Sequence, residues 1–182
     1  MTRHLQASRH NMPAFAQEGV PLIETTLLQN MQRLAQEAQG LQPDSSVSWE
    51  ARAELRVGSG AEADVWLHLQ AKTAIALTCQ RCMGAVETPI EVDQWYRFVA
   101  SEEVAMAEDD QSEEDLLVME PQFDLLAVLE DELLMALPLV PMHDQCPLAP
   151  TLSAGEIEAI GEAGEKLNPF AVLEKLKNKS KL

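Results

Sequence analysis

Apolar and polar side chains alternate through the middle of the chain. Between residues 47 and 57 every second residue is apolar, and the residues between them are Ser, Glu or Arg. A spacing of two places the apolar side chains on one face of a β-strand and the polar side chains on the other. The pattern returns over residues 63–69, in the more buried run 73–78 and in the β-rich stretch 86–99. Short turns between such strands favour an antiparallel sheet over about residues 47–100, with one face in water.

Two segments beside this sheet carry the period of an amphipathic helix. Over residues 24–38, Leu, Met and Ala recur at steps of three and four, which predicts a helix. The second helix, 125–137, follows Asp124, a residue type favoured as N-cap, and stops at Pro138. Its apolar face is predicted to hold Leu126, Leu129, Leu133, Ala136 and Leu137. Glu130 falls at the edge of that face and is therefore expected to be partly buried.

The other segments carry weaker signals. Residues 1–20 have no clear period and are interpreted as an N-terminal arm, whereas residues 101–115 are acidic and are predicted to form a mobile loop. Residues 116–119 fit a short edge strand. An Asn-Pro pair predicts the start of a C-terminal helix at about residues 168–178. We therefore expect a single α+β domain over residues 21–182, with the sheet covered by the two amphipathic helices.

Composition predicts a cytoplasmic protein without membrane contact. The apolar fraction of 46% is ordinary for a globular chain, and the aromatic fraction is only 4%, so Leu, Val, Ala and Met should fill the core. The polar first fifteen residues lack the apolar segment of a secretory signal. The longest apolar run, 133–142, contains two prolines and is too short to span a bilayer. Three cysteines do not suggest an extracellular disulfide framework.

The net charge of −17 is unevenly distributed. Residues 101–135 contain thirteen Asp or Glu and no Lys or Arg. Such a surface repels phosphate backbones, because nucleic-acid affinity comes largely from Lys and Arg that displace counterions. Direct RNA contact by this segment is therefore not expected, and a basic protein is the partner that it would attract. A solvated acidic loop without a partner is the alternative interpretation.

The chemistry of the chain is concentrated in its cysteines. The sequence has no glycine-rich phosphate loop, no G-x-S-x-G elbow and no H-E-x-x-H motif. Cys79 and Cys82 form a C-x₂-C pair, and His143 and Cys146 form a second pair with the same spacer. Together the four residues would make a Cys₃His zinc site, although the spacing fits a metal-free turn equally well. A redox dithiol would need a helix after the first pair, and Met83 with the glycine that follows predicts a turn instead.

The residues around these pairs resemble the YceD family, the large ribosomal RNA subunit accumulation proteins of bacteria and plastids. The resemblance is spread over roughly residues 20–180 and rests on the segments Leu77–Cys82, Phe123–Leu126, Val128–Leu133, Leu137–Pro138, Pro141–His143 and Asn168–Phe170. His143 stands where the family often has a cysteine. The resemblance implies a non-enzymatic cytoplasmic factor that supports synthesis, processing or stability of large-subunit ribosomal RNA. It identifies no reaction and no RNA-contacting residue.

The resemblance therefore implies a ribosome-biogenesis factor. Its partners would be precursors of the large ribosomal subunit, reached through basic ribosomal or processing proteins. Two alternatives remain open at the level of the sequence. One is a zinc-stabilised protein-interaction adaptor without a ribosomal role, and the other is a thiol redox protein that uses Cys79 and Cys82.

Overall fold

The computed structural model describes residues 9–57 and 63–147, which form an α+β fold. The strands, numbered along the chain, are β1 Arg9–His10, β2 Leu22–Leu27, β3 Ser46–Val57, β4 Ala63–Thr78, β5 Ala85–Val99, β6 Asp115–Val118 and β7 Phe123–Asp124. The helices are α1 Met12–Glu18, α2 Gln32–Glu37, α3 Glu102–Glu108 and α4 Leu125–Met135. Within these two ranges no helix has the length and apolarity to cross a membrane. The C-terminal helix expected at about residues 168–178 lies outside the described residues.

A five-stranded sheet with the order β2-β3-β4-β5-β6 forms the centre of the fold. The strands β3 to β5 pair antiparallel, as the alternation predicts, and β2 joins them antiparallel to β3. Strand β4 runs without interruption through both of the apolar runs seen in the sequence. The expected edge strand is present as β6, but it lies parallel to β5. The reason is the connection through α3, which carries the chain back by a few residues, so that β6 runs beside the last four residues of β5 in the same direction.

One face of the sheet is buried under helices. The alternate residues of β3, β4 and β5 that face inward include Trp49, Leu67, Leu69 and Tyr96, and all of them are buried. The helices α1 and α4 pack on this face, and α2 packs against α4. The predicted sheet with helices on its apolar side is confirmed, since a half-buried sheet needs such a cover. One covering helix is α4, as predicted, but the other is α1, which lies in the segment expected to be an arm and not within residues 24–38.

Helix α4 matches its prediction closely. Its N-cap is Asp124, whose side chain accepts a hydrogen bond from the backbone N–H of Ala127 at 3.1 Å. Leu129 and Leu133 are buried as expected, but Leu125 joins them. The helix ends at Met135, so Ala136 lies beyond it and is exposed. The apolar face therefore begins one residue earlier than the sequence pattern indicated.

The segment 24–38 is not one helix, and this prediction was wrong in its first half. Residues up to Leu27 belong to β2, a 3₁₀ turn follows over Leu28–Asn30, and only Gln32–Glu37 form an α-helix. The β-branched residues of β2 favour an extended backbone, and Trp49 Nε1 donates a hydrogen bond to Thr26 Oγ1 at 2.9 Å, which ties β2 to β3. The apolar period is nevertheless real, since its members Leu28, Met31 and Leu34 are all buried.

Two further segments contain helices that the sequence pattern did not indicate. We expected residues 1–20 to form an arm, but in the part that the structure describes α1 is capped by Asn11, ends at Gly19 with a φ of 62°, and buries Met12 and Ala16. We expected residues 101–115 to form a mobile loop, but they contain α3. Glu102 and Glu103 in its first turn favour the helix, because carboxylates stabilise the positive end of the helix dipole.

Candidate metal centre

The first cysteine pair lies in the turn that joins β4 to β5. Cys79 follows the last residue of β4, and its backbone N–H donates to the carbonyl oxygen of Gly84 at 2.9 Å. The N–H of Met83 donates back to the carbonyl oxygen of Cys79, also at 2.9 Å. Met83 adopts a left-handed backbone with a φ of 59°, which reverses the chain and leads into β5. This turn brings the sulfur atoms of Cys79 and Cys82 within 4.8 Å of each other.

The second pair lies in the segment after α4 and is held against this turn by backbone contacts. The N–H of Gln80 donates to the carbonyl oxygen of Pro141 at 2.9 Å. The backbone N–H of His143 points at the sulfur of Cys79, at 3.5 Å. These contacts bring together residues that lie about sixty positions apart in the sequence.

All four residues that the sequence proposed as zinc ligands converge on one point. Their ligand atoms, three sulfurs and one imidazole nitrogen, lie within 4.8 Å of one another. Cys79 Sγ is 3.9 Å from Cys146 Sγ, and Cys82 Sγ is 3.4 Å from His143 Nδ1. Zinc bonds of about 2.3 Å to sulfur and 2.0–2.1 Å to nitrogen, in a tetrahedron, would separate two sulfurs by about 3.8 Å and a sulfur and a nitrogen by about 3.6 Å. The arrangement is therefore already close to the dimensions that a zinc ion requires.

The orientation of His143 assigns the nitrogen that faces the centre. Its Nε2 is 2.9 Å from the carbonyl oxygen of Ala85. A carbonyl oxygen only accepts, so Nε2 carries the proton and donates, which leaves the lone pair on Nδ1. Nδ1 is the atom that lies beside Cys82. Metal-binding histidines are commonly held in this way by a carbonyl behind the ring.

The two sulfurs of Cys79 and Cys146 have opposite electrostatic environments. Burial alone would raise the pKa of the Cys79 thiol, but the backbone N–H groups of Cys82, His143 and Arg81, with the His143 side chain, lower it to about 5. Burial, together with the neighbouring Cys82 and Cys79 side chains, raises the pKa of Cys146 to about 11. The site therefore stabilises one thiolate and disfavours a second one close to it, unless a cation lies between them.

The same geometry argues against the redox alternative. A redox dithiol needs an accessible thiolate that can attack a substrate disulfide. Cys79, the residue with the lowered pKa, is completely buried. The residues after Cys82 lead into strand β5 and form no helix.

A second feature of the described residues is an acidic surface over residues 102–115, which we call the acidic flank. It consists of α3, the 3₁₀ turn after it and the chain up to the start of β6. Arg97 of β5 anchors it, with Nη2 at 2.9 Å from Glu108 Oε2 and Nε at 2.8 Å from Glu114 Oε1. Burial would lower the pKa of Arg97, but the hydrogen bonds to these two carboxylates outweigh it and raise the pKa. The exposed carboxylates on the flank are Glu102, Glu103, Asp109, Asp110, Glu113 and Asp115.

Sequence reasoning singled out the four side chains that converge at this candidate metal centre, and it missed the groups that support them. The carbonyl of Ala85 and the N–H groups around Cys79 are backbone atoms, so no residue type in the sequence marks them. The anchoring role of Arg97 was also missed. The signal that could have revealed it is a lone arginine close to a segment with many carboxylates and no cation.

Comparison with known proteins agrees with the resemblance to the YceD family seen in the sequence. Residues 67–177 match the model of a family described as large ribosomal RNA subunit accumulation protein YceD, and this match includes all four residues of the metal centre. The protein with that name from Haemophilus influenzae is 38% identical over 118 residues, which cover 58% of this chain and 61% of the length of that relative. No solved structure matches the chain. Since the family model covers more than half of the sequence, the chain belongs to the YceD family.

Proposed function

We propose that this chain is a non-enzymatic factor that supports the synthesis, processing or stability of large-subunit ribosomal RNA. The observation that carries the proposal is membership of the family, whose description names accumulation of that RNA. The name of the Haemophilus influenzae relative describes the same role. A factor of this kind works in the cytoplasm, where large-subunit precursors are assembled.

The acidic flank is the surface through which we propose that the chain reaches those precursors. Of its carboxylates, Glu108 and Glu114 are engaged by Arg97, while Glu102, Glu103, Asp109 and Asp110 contact no cation among the described residues. A field of this sign repels RNA and accelerates the encounter with a basic protein. A basic ribosomal or processing protein is therefore the partner that fits this surface.

The metal centre is proposed to bind one zinc ion per chain through Cys79, Cys82, His143 and Cys146. Around a bound ion, three sulfurs and one nitrogen would complete a tetrahedron and leave no position for a substrate or for a reactive water, as in zinc sites with a structural role. The ion would fasten the segment after α4 to the turn between β4 and β5. Its role would be stability, which agrees with a factor that performs no reaction.

The second candidate function is a zinc-stabilised protein-interaction adaptor without a ribosomal role. The observation in its favour is the same closed set of four ligands, which is independent of any ribosomal partner. The two candidates differ in whether the acidic flank binds large-subunit precursors. The experiment that tests the proposed function therefore compares how strongly two charge variants co-sediment with those precursors.

The flank variant replaces Glu102, Glu103, Asp109 and Asp110 with Gln or Asn and leaves the carboxylates that hold Arg97 in place. The matched control variant replaces four exposed carboxylates elsewhere, Glu18, Glu37, Asp44 and Glu87, and so removes the same charge. At about 0.5 kcal/mol for each exposed charge, the flank variant should lose about 2 kcal/mol of binding, close to a thirtyfold loss of affinity.

The measurement is co-sedimentation of each variant with large-subunit precursors from a cell extract over a series of salt concentrations. We expect the flank variant to bind weakly at all of them and the control variant to behave like the original chain. Added salt should weaken the binding of the original chain until it approaches that of the flank variant, since exposed charges are screened within about 8 Å at physiological ionic strength. Equal co-sedimentation of both variants would show that the flank is only a solvated surface.

A further inference from the structure

The acidic flank, residues 102–115, is attached to the fold without apolar packing. None of its residues is buried, and none of its side chains belongs to the hydrophobic core of the described residues. Met106, the largest apolar side chain of α3, is 76% exposed. Since burial of apolar surface is the main force that holds an element in a fold, another interaction must hold the flank in place.

One side chain of the sheet, Arg97 of β5, supplies that interaction. Its Nε donates to Glu114 Oε1 at 2.8 Å, and its Nη2 donates to Glu108 Oε2 at 2.9 Å and to Ser112 Oγ at 3.0 Å. Among the described residues, no other side chain of a strand or helix outside the flank forms a hydrogen bond or ion pair with residues 102–114. The side chain of Arg97 is 16% exposed, whereas that of Glu108 is 47% exposed. A single partly buried cation therefore fastens a solvent-exposed segment.

Helix α3 depends on this contact. It has seven residues, and isolated helices shorter than about 12–15 residues are marginal in water. Carboxylates in its first turn suit the positive end of the helix dipole, but its last turn contains no basic residue and ends at Glu108. The guanidinium of Arg97 places a cation beside this carboxylate, at the negative end of the dipole. Loss of the contact would therefore remove both the anchor of α3 and the charge that its C-terminal end lacks.

We propose that the acidic flank is a detachable arm, which Arg97 holds against β5 in the free chain and which a basic protein segment releases by binding Glu108 and Glu114 in place of Arg97. This inference rests on the proposed function, in which the flank binds a basic protein. In the attached state Arg97 engages two of the eight carboxylates of the flank, and in the released state all eight are available to the partner. A ligand shifts such an equilibrium only by the difference in its affinity for the two states, and here the difference is two further ion pairs.

The charges of the flank select a basic segment as the ligand that releases it. Residues 102–115 contain no Lys or Arg, so their carboxylates repel one another, and Arg97 relieves this repulsion at only two positions. A segment with several cationic side chains neutralises more of them at once than one fixed arginine does. An RNA strand carries the same sign of charge as the flank and cannot replace Arg97.

The first test measures hydrogen exchange at single backbone amides of the full chain by NMR, without a ligand. Arg97→Gln should accelerate exchange at Ala105 and Ser112, which donate within α3 and the turn after it, by about tenfold or more, because the charged hydrogen bonds that limit local opening are lost. Glu108→Gln keeps the bond from Arg97 to Glu114 and should have a smaller effect. Amides of α4 should keep their rates, which shows that the rest of the fold is intact.

Two control variants change the same charges elsewhere. Arg52→Gln removes a cation from an exposed position of β3, and Asp110→Asn removes an exposed carboxylate of the flank that does not contact Arg97. Neither should accelerate exchange in α3. Unchanged rates in the folded Arg97→Gln variant would overturn the proposal.

The second test uses a hexa-arginine peptide as the basic probe. Saturating peptide should accelerate exchange of the Arg97 Nε proton in the original chain, because its acceptor Glu114 is taken over, and a hexauridylate RNA should leave that proton unchanged. Arg97→Gln should bind the peptide about fivefold more tightly than Arg52→Gln, which corresponds to about 0.5 kcal/mol for each of the two released carboxylates. Equal affinity of these two variants, or an Arg97 Nε proton that the peptide does not affect, would overturn the exchange of partners. Release by the RNA would overturn the choice of a basic segment.

Neither test contains ribosomal precursors, so this inference and the proposed function can fail separately. A flank that exchanges Arg97 for hexa-arginine, in a chain whose flank and control variants co-sediment equally with precursors, would refute the proposed function alone. A flank variant that loses co-sedimentation, in a chain whose α3 does not depend on Arg97, would refute the detachable arm alone.

Discussion

At the scale of single residues, the sequence singled out the four side chains that converge at the candidate metal centre. The two-residue spacers brought Cys79, Cys82, His143 and Cys146 into view, and the fold places their ligand atoms at distances close to those of a zinc tetrahedron. The spacing of the residues does not predict the orientation of the imidazole. That orientation depends on the carbonyl of Ala85, which any residue at this position would supply.

The residue-scale prediction concerns metal content. Protein purified without a chelator should contain about one equivalent of zinc, and Cys79→Ser should reduce this to less than about a tenth, because a tetrahedral site with three ligands binds weakly. Asp144→Asn changes an exposed carboxylate next to His143 and should retain the zinc. Elemental analysis of the three proteins is the measurement.

Removal of the metal should also lower the thermal stability. The ion would close a loop of about sixty residues between Cys82 and His143, and for a crosslink of that length the chain-entropy model gives about 4 kcal/mol. The melting temperature should therefore fall by about 10 °C after treatment with a chelator. An unchanged melting temperature together with no bound zinc would mean that the cysteines only pack the turn.

At the scale of the elements, the strands were predictable and the short helices were not. Residues 47–57 alternate without exception, so β3 follows from local pattern alone. Helix α1 buries only Met12 and Ala16, too few positions for a period to be recognised. The strand β2 is extended because β3 pairs with it, and α3 is fastened by Arg97. Such long-range contacts override local propensity and cannot be recognised from the sequence of the segment alone.

Glu130 joins two elements, and the sequence predicted its partial burial but not its hydrogen-bond partners. Its side chain is 13% exposed, and Oε1 accepts the backbone N–H groups of Arg33 at 2.7 Å and Leu34 at 3.1 Å. These groups belong to the first turn of α2, which has no side-chain cap of its own. The guanidinium of Arg33 also binds the second oxygen of Glu130 at 3.1 Å. Glu130 therefore caps α2 from α4.

The prediction that follows concerns the free energy of unfolding. Glu130→Ala should lower it by about 3 kcal/mol, because it leaves two helix N–H groups and a cation without their acceptor. Glu130→Gln keeps an acceptor oxygen and should cost about 1 kcal/mol. The control is Asp131→Ala, which removes the neighbouring, more exposed partner of Arg33 and should cost less than about 1 kcal/mol. Denaturant titration measures all three, and equal losses for Glu130→Ala and Asp131→Ala would refute the capping role.

At the scale of the whole molecule, the described residues arrange distinct surfaces around one sheet. The acidic flank borders β6, and the candidate metal centre lies at the turn between β4 and β5. The charge of the flank was visible in the sequence, but its position relative to the candidate metal centre depends on strand order. Strand order is set by long-range pairing and could not be derived from local patterns.

The proposed support of large-subunit ribosomal RNA is tested most directly by the ratio of mature large-subunit to small-subunit RNA in cells depleted of the protein. We expect depletion to lower this ratio, and expect the original chain and the control variant, but not the folded flank variant, to restore it. Leu129→Asp combined with Leu133→Asp should also fail to restore it, because two unpaired charges at fully buried positions of α4 each cost several kcal/mol against a total stability of about 5–15 kcal/mol. An unchanged ratio in depleted cells would contradict the ribosomal role and leave the zinc-stabilised adaptor as the better account.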